Sequence, residues 1–141
     1  MAYWLFKSEP DTWSWEQQKA KGSVGEEWTG VRNYQARNFM RAMKIGDKGF
    51  FYHSNEGREI VGIVEVCETV RPDSTSENPT WECVHIRCLM DVPRALSLDE
   101  IKADGRLSEM VLVKNSRLSV QPVLASEWAM VCALTGFDKT P

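Results

Sequence analysis

Residues 47–70 read DKGFFYHSNEGREIVGIVEVCETV, two largely apolar runs separated by a polar segment. The segment NEGR is typical of a tight turn, so we predict a β-hairpin with strands at Phe50–Ser54 and Glu59–Val70. The second run is almost continuously apolar, as expected of a strand that is covered on both faces. The hairpin therefore predicts a sheet at the centre of the fold.

Further strands and helices are predicted on both sides of this hairpin. An apolar run indicates a strand at Tyr3–Lys7, and residues 81–94 alternate between two faces as a half-buried strand does. Residues 107–123 are also expected to be extended. Helices are indicated by capping boxes or by apolar residues at spacings of three and four, at residues 15–22, 33–43, 97–102 and 124–136.

This order of elements predicts an α+β fold. Strands dominate the middle of the chain and short helices flank them, which indicates a small β-barrel or a strongly curled mixed sheet with helices at its ends. A length of 141 residues is typical of one domain, so we expect a single domain over residues 1–141. Ordinary proportions of hydrophobic and charged residues, 43% and 26%, argue against disorder.

Several classes of protein are disfavoured. The N-terminal stretch MAYWLFKSEPD is too short and too polar for a signal peptide or a spanning helix, so we expect a cytoplasmic or nuclear protein without a membrane partner. The four cysteines form no C-x-x-C pair and the two histidines are not spaced with them as zinc ligands, which predicts reduced thiols and no metal. We expect a monomer without a cofactor.

A local basic bias lies within a chain of net charge −3. The overall charge argues against a strongly basic protein that coats nucleic acid. Arg32, Arg37 and Arg41 nevertheless fall within a short segment that also holds Lys44 and Lys48. A small acidic protein with one basic face can still bind a polyanion there, in a strongly salt-dependent way.

Two of the six tryptophans stand at the ends of predicted elements. Trp28 lies in a loop beside Gly30, and Trp81 opens a strand directly after a loop. A tryptophan in a loop either covers the core or stacks on a flat ligand. Polar residues near both, among them Ser8, Thr29, Asn33 and Ser54, are of the kind that reads the edge of a base. The combination predicts a pocket for one extruded base.

The motifs YWLFKSEPD, WTGVRNYQARNFMR, GFFYHS, IVGIVEV and NSRLSVQPV together resemble the EVE domain. The resemblance runs from Tyr3 to about Gly136. This family has a PUA-like fold and is related to the YTH readers of methylated adenine. The resemblance implies a PUA-like barrel with flanking helices, a pocket for a modified base of DNA or RNA, and binding rather than catalysis.

The resemblance also implies roles for particular residues. Lys7 and Ser8 correspond to residues beside the base, Trp28 and Trp81 to the two aromatic walls, and Arg117 to a phosphate contact. Further pocket residues are expected at Tyr34, Tyr52 and Ser54. The hypothesis adds hydrogen bonds from Thr29 and Asn33 to the base edge, and contacts of the nucleic-acid backbone with Arg32, Arg37 and Arg41.

Two alternatives remain open from the sequence. The first is a small hydrolase that acts on a modified nucleobase or nucleoside, with Lys7 and either Glu9 or Glu26 as the acid–base pair. The second is a domain that binds a small molecule or a protein, with the basic stripe merely solvated. Glu26 and Glu27, directly before Trp28, are expected to repel phosphate and to favour a ring that is positive or donates hydrogen bonds.

Overall fold

The predicted hairpin is present in the computed structural model, which describes all residues from Met1 to Pro141. Its strands, Lys48–His53 and Glu59–Pro72, pair antiparallel from Lys48↔Glu65 to His53↔Glu59. The strands are β1 (Tyr3–Ser8), β2 (Glu26–Glu27), β3 (Lys48–His53), β4 (Glu59–Pro72), β5 (Glu82–Ser97) and β6 (Val120–Val123). The helices are α1 (Trp15–Ala20), α2 (Tyr34–Ala42), α3 (Leu98–Ala103), α4 (Val111–Lys114) and α5 (Ala125–Thr135).

All six strands form one mixed sheet in the order β2-β5-β4-β3-β1-β6. The β1–β3 pair is parallel and the other pairs are antiparallel. The two edge strands, β2 and β6, do not pair with each other, so the sheet is open rather than closed into a barrel. The predicted α+β class with a mixed sheet and short helices is confirmed, whereas the barrel alternative is not.

Hydrophobic cores cover both faces of the sheet. On one face Phe6 and Phe51 pack with residues of α1 and α2. On the other face Leu5 and Phe50 pack with residues of α3, α4 and α5, around the fully buried Trp128. Neighbouring strand residues enter opposite cores because successive side chains of a strand point to opposite faces. The predicted two-sided cover of β4 holds for its first half, and its last residues are mostly exposed.

The first helix is positioned by a close approach to a glycine of the sheet. The indole of Trp15 lies on Gly62, and a Cβ atom there would be 2.1 Å from Trp15 Cζ2. The indole N–H donates to Asp91 Oδ1 at 2.7 Å, and the backbone N–H of Trp15 donates to His53 Nε2 at 3.0 Å. Only a residue without a side chain allows this packing.

One predicted element is wrong. Residues 107–123 were expected to be extended, but Val111–Lys114 forms helix α4, and only Val120–Val123 is a strand. Apolar residues in an unbroken run have no period that distinguishes a buried helix from a buried strand. The segment pairs with no strand of the sheet, and its backbone hydrogen bonds are local, as from the Asn115 amide to the Val111 carbonyl at 2.7 Å.

Candidate functional site

A cavity of about 840 Å³ opens where β1 and β3 end. The two strands run parallel and finish side by side at Ser8 and His53. The chain leaves both strands at this edge, and the Ser54 amide donates to the Ser8 carbonyl at 2.9 Å. The cavity is lined by residues 7–9, 12–13, 26–32, 54–55, 74–75, 116, 117 and 119. Five separate segments of the chain beyond β1 therefore contribute to it.

Trp28 is both a wall of the cavity and part of the core. Its ring packs edge-on against Phe6 and Phe51, with centroids 5.4 and 5.7 Å away. Its backbone N–H donates to the Val84 carbonyl at 2.9 Å. The residue is 7% exposed, so only a small part of the indole faces the cavity. The side chain therefore covers the core, and the same residue also borders the cavity.

The loop that carries Trp28 is tied to the β4–β5 loop by Asp73, which is 2% exposed. Asp73 Oδ2 accepts from the Gly30 amide at 2.9 Å and from Arg32 Nη1 at 3.0 Å. Oδ1 accepts from the Thr75 amide at 2.7 Å and from its hydroxyl at 2.6 Å. Burial by itself raises the pKa of Asp73, but the bonds from Thr75, Gly30 and Arg32 outweigh it and lower the pKa to about 2.

Arg32 lies at one end of a stack of four side chains, which we call the ladder: Arg32, Trp81, Tyr34 and Arg37. The Arg32 guanidinium is 5.7 Å from the Trp81 ring centroid, and the Trp81 and Tyr34 rings are 5.0 Å apart. The Arg37 guanidinium is 5.0 Å from the Tyr34 ring. Trp81 thus contacts an arginine and a tyrosine and does not line the cavity. Trp28 and Trp81 therefore do not form the two opposite aromatic walls that the resemblance implied.

The arginines of the predicted basic stripe largely form hydrogen bonds with other groups of the protein. Arg41 Nε donates to Glu82 Oε1 at 2.6 Å. Arg37 Nη1 donates to the Thr80 carbonyl at 3.1 Å. Arg117, by contrast, lines the cavity, is exposed, and forms no ion pair. Among the four predicted phosphate contacts, Arg117 is the one whose charge is free at the cavity.

The structure brings together about half of the residues that the sequence pointed to. Seven line the cavity: Lys7, Ser8, Trp28, Thr29, Arg32, Ser54 and Arg117. Six do not: Asn33, Tyr34, Arg37, Arg41, Tyr52 and Trp81. Asn33 instead caps α2, where its side chain accepts from the Ala36 amide at 2.9 Å. Tyr52 is buried in the opposite core because it follows Phe51 on β3 and so points to the other face.

Lys7 and Ser8 have partners that restrict what they do in the cavity. Lys7 Nζ donates to the Ser116 carbonyl at 2.6 Å and lies 5.9 Å from the Tyr52 ring. Burial lowers the pKa of Lys7. The Ser8 hydroxyl donates to the Trp13 carbonyl, which closes the loop after β1. A ligand in the cavity therefore meets an ordered amine and a hydroxyl whose lone pairs remain available to accept.

The two glutamates before Trp28 both line the cavity. Glu26 Oε2 forms an ion pair with Lys21 at 3.1 Å. Glu27 Oε2 accepts from the Ser74 hydroxyl at 2.6 Å and has no cationic partner. Lys7 forms an ion pair with neither Glu9 nor Glu26, so the acid–base pair considered from the sequence is not assembled in the structure.

Sequence reasoning missed Asp73 and its neighbours Ser74 and Thr75. The available signal was the stretch RPDST, in which Asp73 and Thr75 have the spacing of a turn closed by an aspartate side chain. That signal predicts the local turn, and Asp73 does accept from the Thr75 amide. It does not reveal that the same carboxylate holds the loop after β2, because that contact spans 43 positions of the chain.

The sequence and the fold of this chain resemble those of known proteins. A model of the EVE domain matches residues 2–134. The chain belongs to the EVE domain family. Thymocyte nuclear protein 1 of Gallus gallus is 39% identical to this EVE domain, over 94% of this chain and 68% of that protein. The family predicted from the sequence motifs is confirmed.

Solved structures agree with this assignment. A protein of Agrobacterium tumefaciens is 60% identical, with a TM-score of 0.96 and coverage of 100% of this chain and 99% of the other. Human THYN1 protein, crystallised in complex with DNA containing 5-methylcytosine, is 34% identical, with a TM-score of 0.91 and coverage of 99% and 100%. The YTH domain of Zygosaccharomyces rouxii MRB1, solved in complex with N6-methyladenosine RNA, is 19% identical. Its TM-score of 0.59, over 99% and 89% of the two chains, shows a shared fold.

The structure has neither a metal site nor a membrane-spanning helix. No group of three or more His, Cys, Asp or Glu side chains is arranged to hold a metal ion. The longest helix, α5, has 11 residues, and none of the helices has the length and apolar character needed to cross a membrane.

Proposed function

We propose that this EVE domain binds nucleic acid and holds one modified base in the cavity beside Trp28. The observation that carries the proposal is the cavity itself, which has a rigid aromatic wall and polar residues around it. The human THYN1 protein, which has the same fold and is 34% identical, was crystallised with DNA that contains 5-methylcytosine. The proposal transfers that class of ligand to this chain.

The dimensions of the cavity suit a base that has left its stack. A volume of about 840 Å³ lies within the range of roughly 300–1,000 Å³ that small-molecule pockets occupy. A base that is still paired in a duplex cannot reach such a cavity, so the nucleotide must be single-stranded or extruded. The cost of unstacking is a few kcal/mol, which contacts with Trp28 and the surrounding polar groups would offset.

Each residue that lines the cavity has a proposed role. Trp28 packs against the base, and Lys7, Thr29 and Ser54 face its polar edge. Arg117 at the rim contacts a phosphate, because it is exposed and has no carboxylate partner. Trp81 acts indirectly, since it supports the Arg32 guanidinium at 5.7 Å rather than the base.

The test is a binding panel of short oligonucleotides, DNA and RNA, that are identical apart from one central base. That base is cytosine, 5-methylcytosine, adenine or N6-methyladenine, and affinity is measured by fluorescence anisotropy at two salt concentrations. We expect at least one modified base to bind about tenfold more tightly than its plain counterpart, a difference of about 1.4 kcal/mol. Equal affinities for modified and plain bases across the panel would contradict the proposal.

The same panel tests the hydrolase alternative, for which Lys7 is the relevant group because burial lowers its pKa inside the cavity. Each oligonucleotide is recovered after prolonged incubation with the protein, and its molecular mass is measured by mass spectrometry. Under the proposed function every mass is unchanged. A change of mass that disappears in Lys7→Ala would favour catalysis instead of binding.

A further inference from the structure

We infer that Glu27 makes the cavity selective for a base with an exocyclic amino group, such as cytosine, over one with a carbonyl group at the same ring position, such as thymine or uracil. The inference rests on the proposed function, because it concerns which base the cavity accepts. It starts from the position of the side chain. Glu27 ends β2, directly before Trp28, and lines the same cavity.

The Glu27 carboxylate is held in place by hydroxyl and amide donors rather than by a cation. The Ser74 hydroxyl donates to Oε2 at 2.6 Å, and the Ser74 amide donates to Oε1 at 3.3 Å. Ser74 also lines the cavity, so this contact lies in the cavity wall. The neighbouring Glu26 differs, because its carboxylate is paired with Lys21 at 3.1 Å. Glu27 therefore presents a negative charge that no cation of the protein neutralises directly.

A carboxylate in this state has acceptor capacity left for a ligand. An ionised carboxylate accepts only, and its two oxygens offer about four lone-pair sites. Ser74 uses one site on each oxygen, and the Cys83 thiol approaches Oε1 at 3.9 Å. At least one lone pair is left to accept a bond from a donor that enters the cavity.

The identity of that donor follows from the chemistry of the bases. Cytosine carries an amino group at C4, which donates, whereas thymine and uracil carry a carbonyl oxygen there, which only accepts. An acceptor placed against a carboxylate loses its hydrogen bond to water and gains nothing in return. Carboxylates pair with the cytosine amino group for this reason, and a good contact of this kind discriminates by about tenfold or more.

The test compares two single-stranded oligonucleotides that differ at one base, 5-methylcytosine or thymine. Both rings carry the same methyl group at C5, so they differ only along the edge of C4 and N3. This edge has an amino group and an acceptor nitrogen in 5-methylcytosine, and a carbonyl group and an N–H in thymine. We expect the wild-type protein to prefer 5-methylcytosine by tenfold or more. Equal binding of the two oligonucleotides by the wild-type protein would overturn the inference, even if binding to both is tight.

Variants assign the preference to one side chain. Glu27→Gln keeps the shape but offers an amide that both donates and accepts, so the ratio of the two affinities should fall towards one. Glu16→Gln, the same change at an exposed glutamate that does not line the cavity, should leave the ratio unchanged. An unchanged ratio in Glu27→Gln would contradict the inference. Thermal unfolding checks that Glu27→Gln is folded. Glu27→Asp moves the carboxylate back by one methylene group, so it must also lower the ratio of the affinities for 5-methylcytosine and thymine.

A third oligonucleotide with plain cytosine separates this inference from the proposed function. If 5-methylcytosine and cytosine bind equally and both exceed thymine, Glu27 selects the amino edge but the cavity does not read that modification. If 5-methylcytosine exceeds cytosine but equals thymine, the cavity reads the methyl group and the inference about Glu27 is wrong. If none of the three binds, the inference about Glu27 is wrong, and the adenine and N6-methyladenine oligonucleotides of the panel decide the proposed function.

Discussion

The Asp73 carboxylate accepts a hydrogen bond of 2.9 Å from the Gly30 amide, and this contact joins two loops that are 43 positions apart in the chain. Gly30 belongs to the segment that places Trp28 and Thr29 in the cavity wall. The same carboxylate holds Arg32, whose guanidinium lies over Trp81. One buried acid thus determines the shape of a site that it does not itself line.

We predict that Asp73→Asn destabilises the protein by about 2 kcal/mol, because Arg32 and two amide donors lose a buried, ionised acceptor. Affinity for the preferred oligonucleotide should fall as well, since the Trp28 loop loses its tether. Denaturant unfolding and anisotropy measure the two effects. The control is Asp138→Asn, which changes an exposed carboxylate that does not line the cavity and should change both quantities much less. Equal effects of the two variants would contradict the role of Asp73.

The pH dependence of stability offers a second test of Asp73. The pKa of this carboxyl is lowered from its ordinary value of 3.8 to about 2 in the folded protein. A group whose pKa is depressed by folding stabilises the protein above its unfolded pKa, and this contribution disappears as the pH falls through the folded pKa. The stability difference between wild type and Asp73→Asn should therefore be full above about pH 4 and shrink towards pH 2. A difference in the free energy of unfolding between the two proteins that stays constant down to pH 2 would be inconsistent with this role of Asp73.

Gly62→Ala should destabilise the protein by roughly 1–3 kcal/mol, the usual cost of overpacking a filled core. The added Cβ would lie 2.1 Å from Trp15 Cζ2, so the indole must move and its bond to Asp91 would weaken. Gly105→Ala is the matched control, because a Cβ there meets no atom within 4 Å. Thermal unfolding measures both. A Gly62→Ala protein as stable as the Gly105→Ala protein would show that Trp15 is not fixed by this contact.

Arg117→Ala should weaken binding to modified and plain oligonucleotides alike and reduce the slope of log Kd against log salt by about 1. The reason is that a phosphate contact supplies affinity but reads no sequence. Arg41→Ala should have a smaller effect on both, because the Arg41 guanidinium already bonds to Glu82. Titrations at several salt concentrations measure the slopes. Equal slopes for wild type and Arg117→Ala would remove Arg117 from the proposed interface.

Much of the fold could be predicted from local sequence. The hairpin follows from its turn and apolar strands, and the two capping boxes, at Ser14 and at Ser97, mark the starts of α1 and α3 as expected. The helix at Val111–Lys114 could not be predicted, because an unbroken apolar run fits a buried helix and a buried strand equally. Its conformation depends on the absence of a partner strand, which is a property of the whole sheet.

The site was predicted less completely, for a similar reason. Residue types pointed to Trp28 and Ser8, the family resemblance pointed to Lys7, and all three line one cavity. Trp81 has the same local character as Trp28, yet it stacks on Tyr34 at 5.0 Å instead of facing the cavity. The difference arises from contacts between distant loops, such as those of Asp73, and no spacing within a short motif records them.

The most direct test of the central claim is the position of the modified base in a crystal structure of this protein with an oligonucleotide that it prefers. The account predicts an extruded base inside the cavity, packed against Trp28, with the backbone near Arg117. A base that remains stacked in the nucleic acid, with contacts only along Arg37, Arg41 and the outer face of α2, would contradict it.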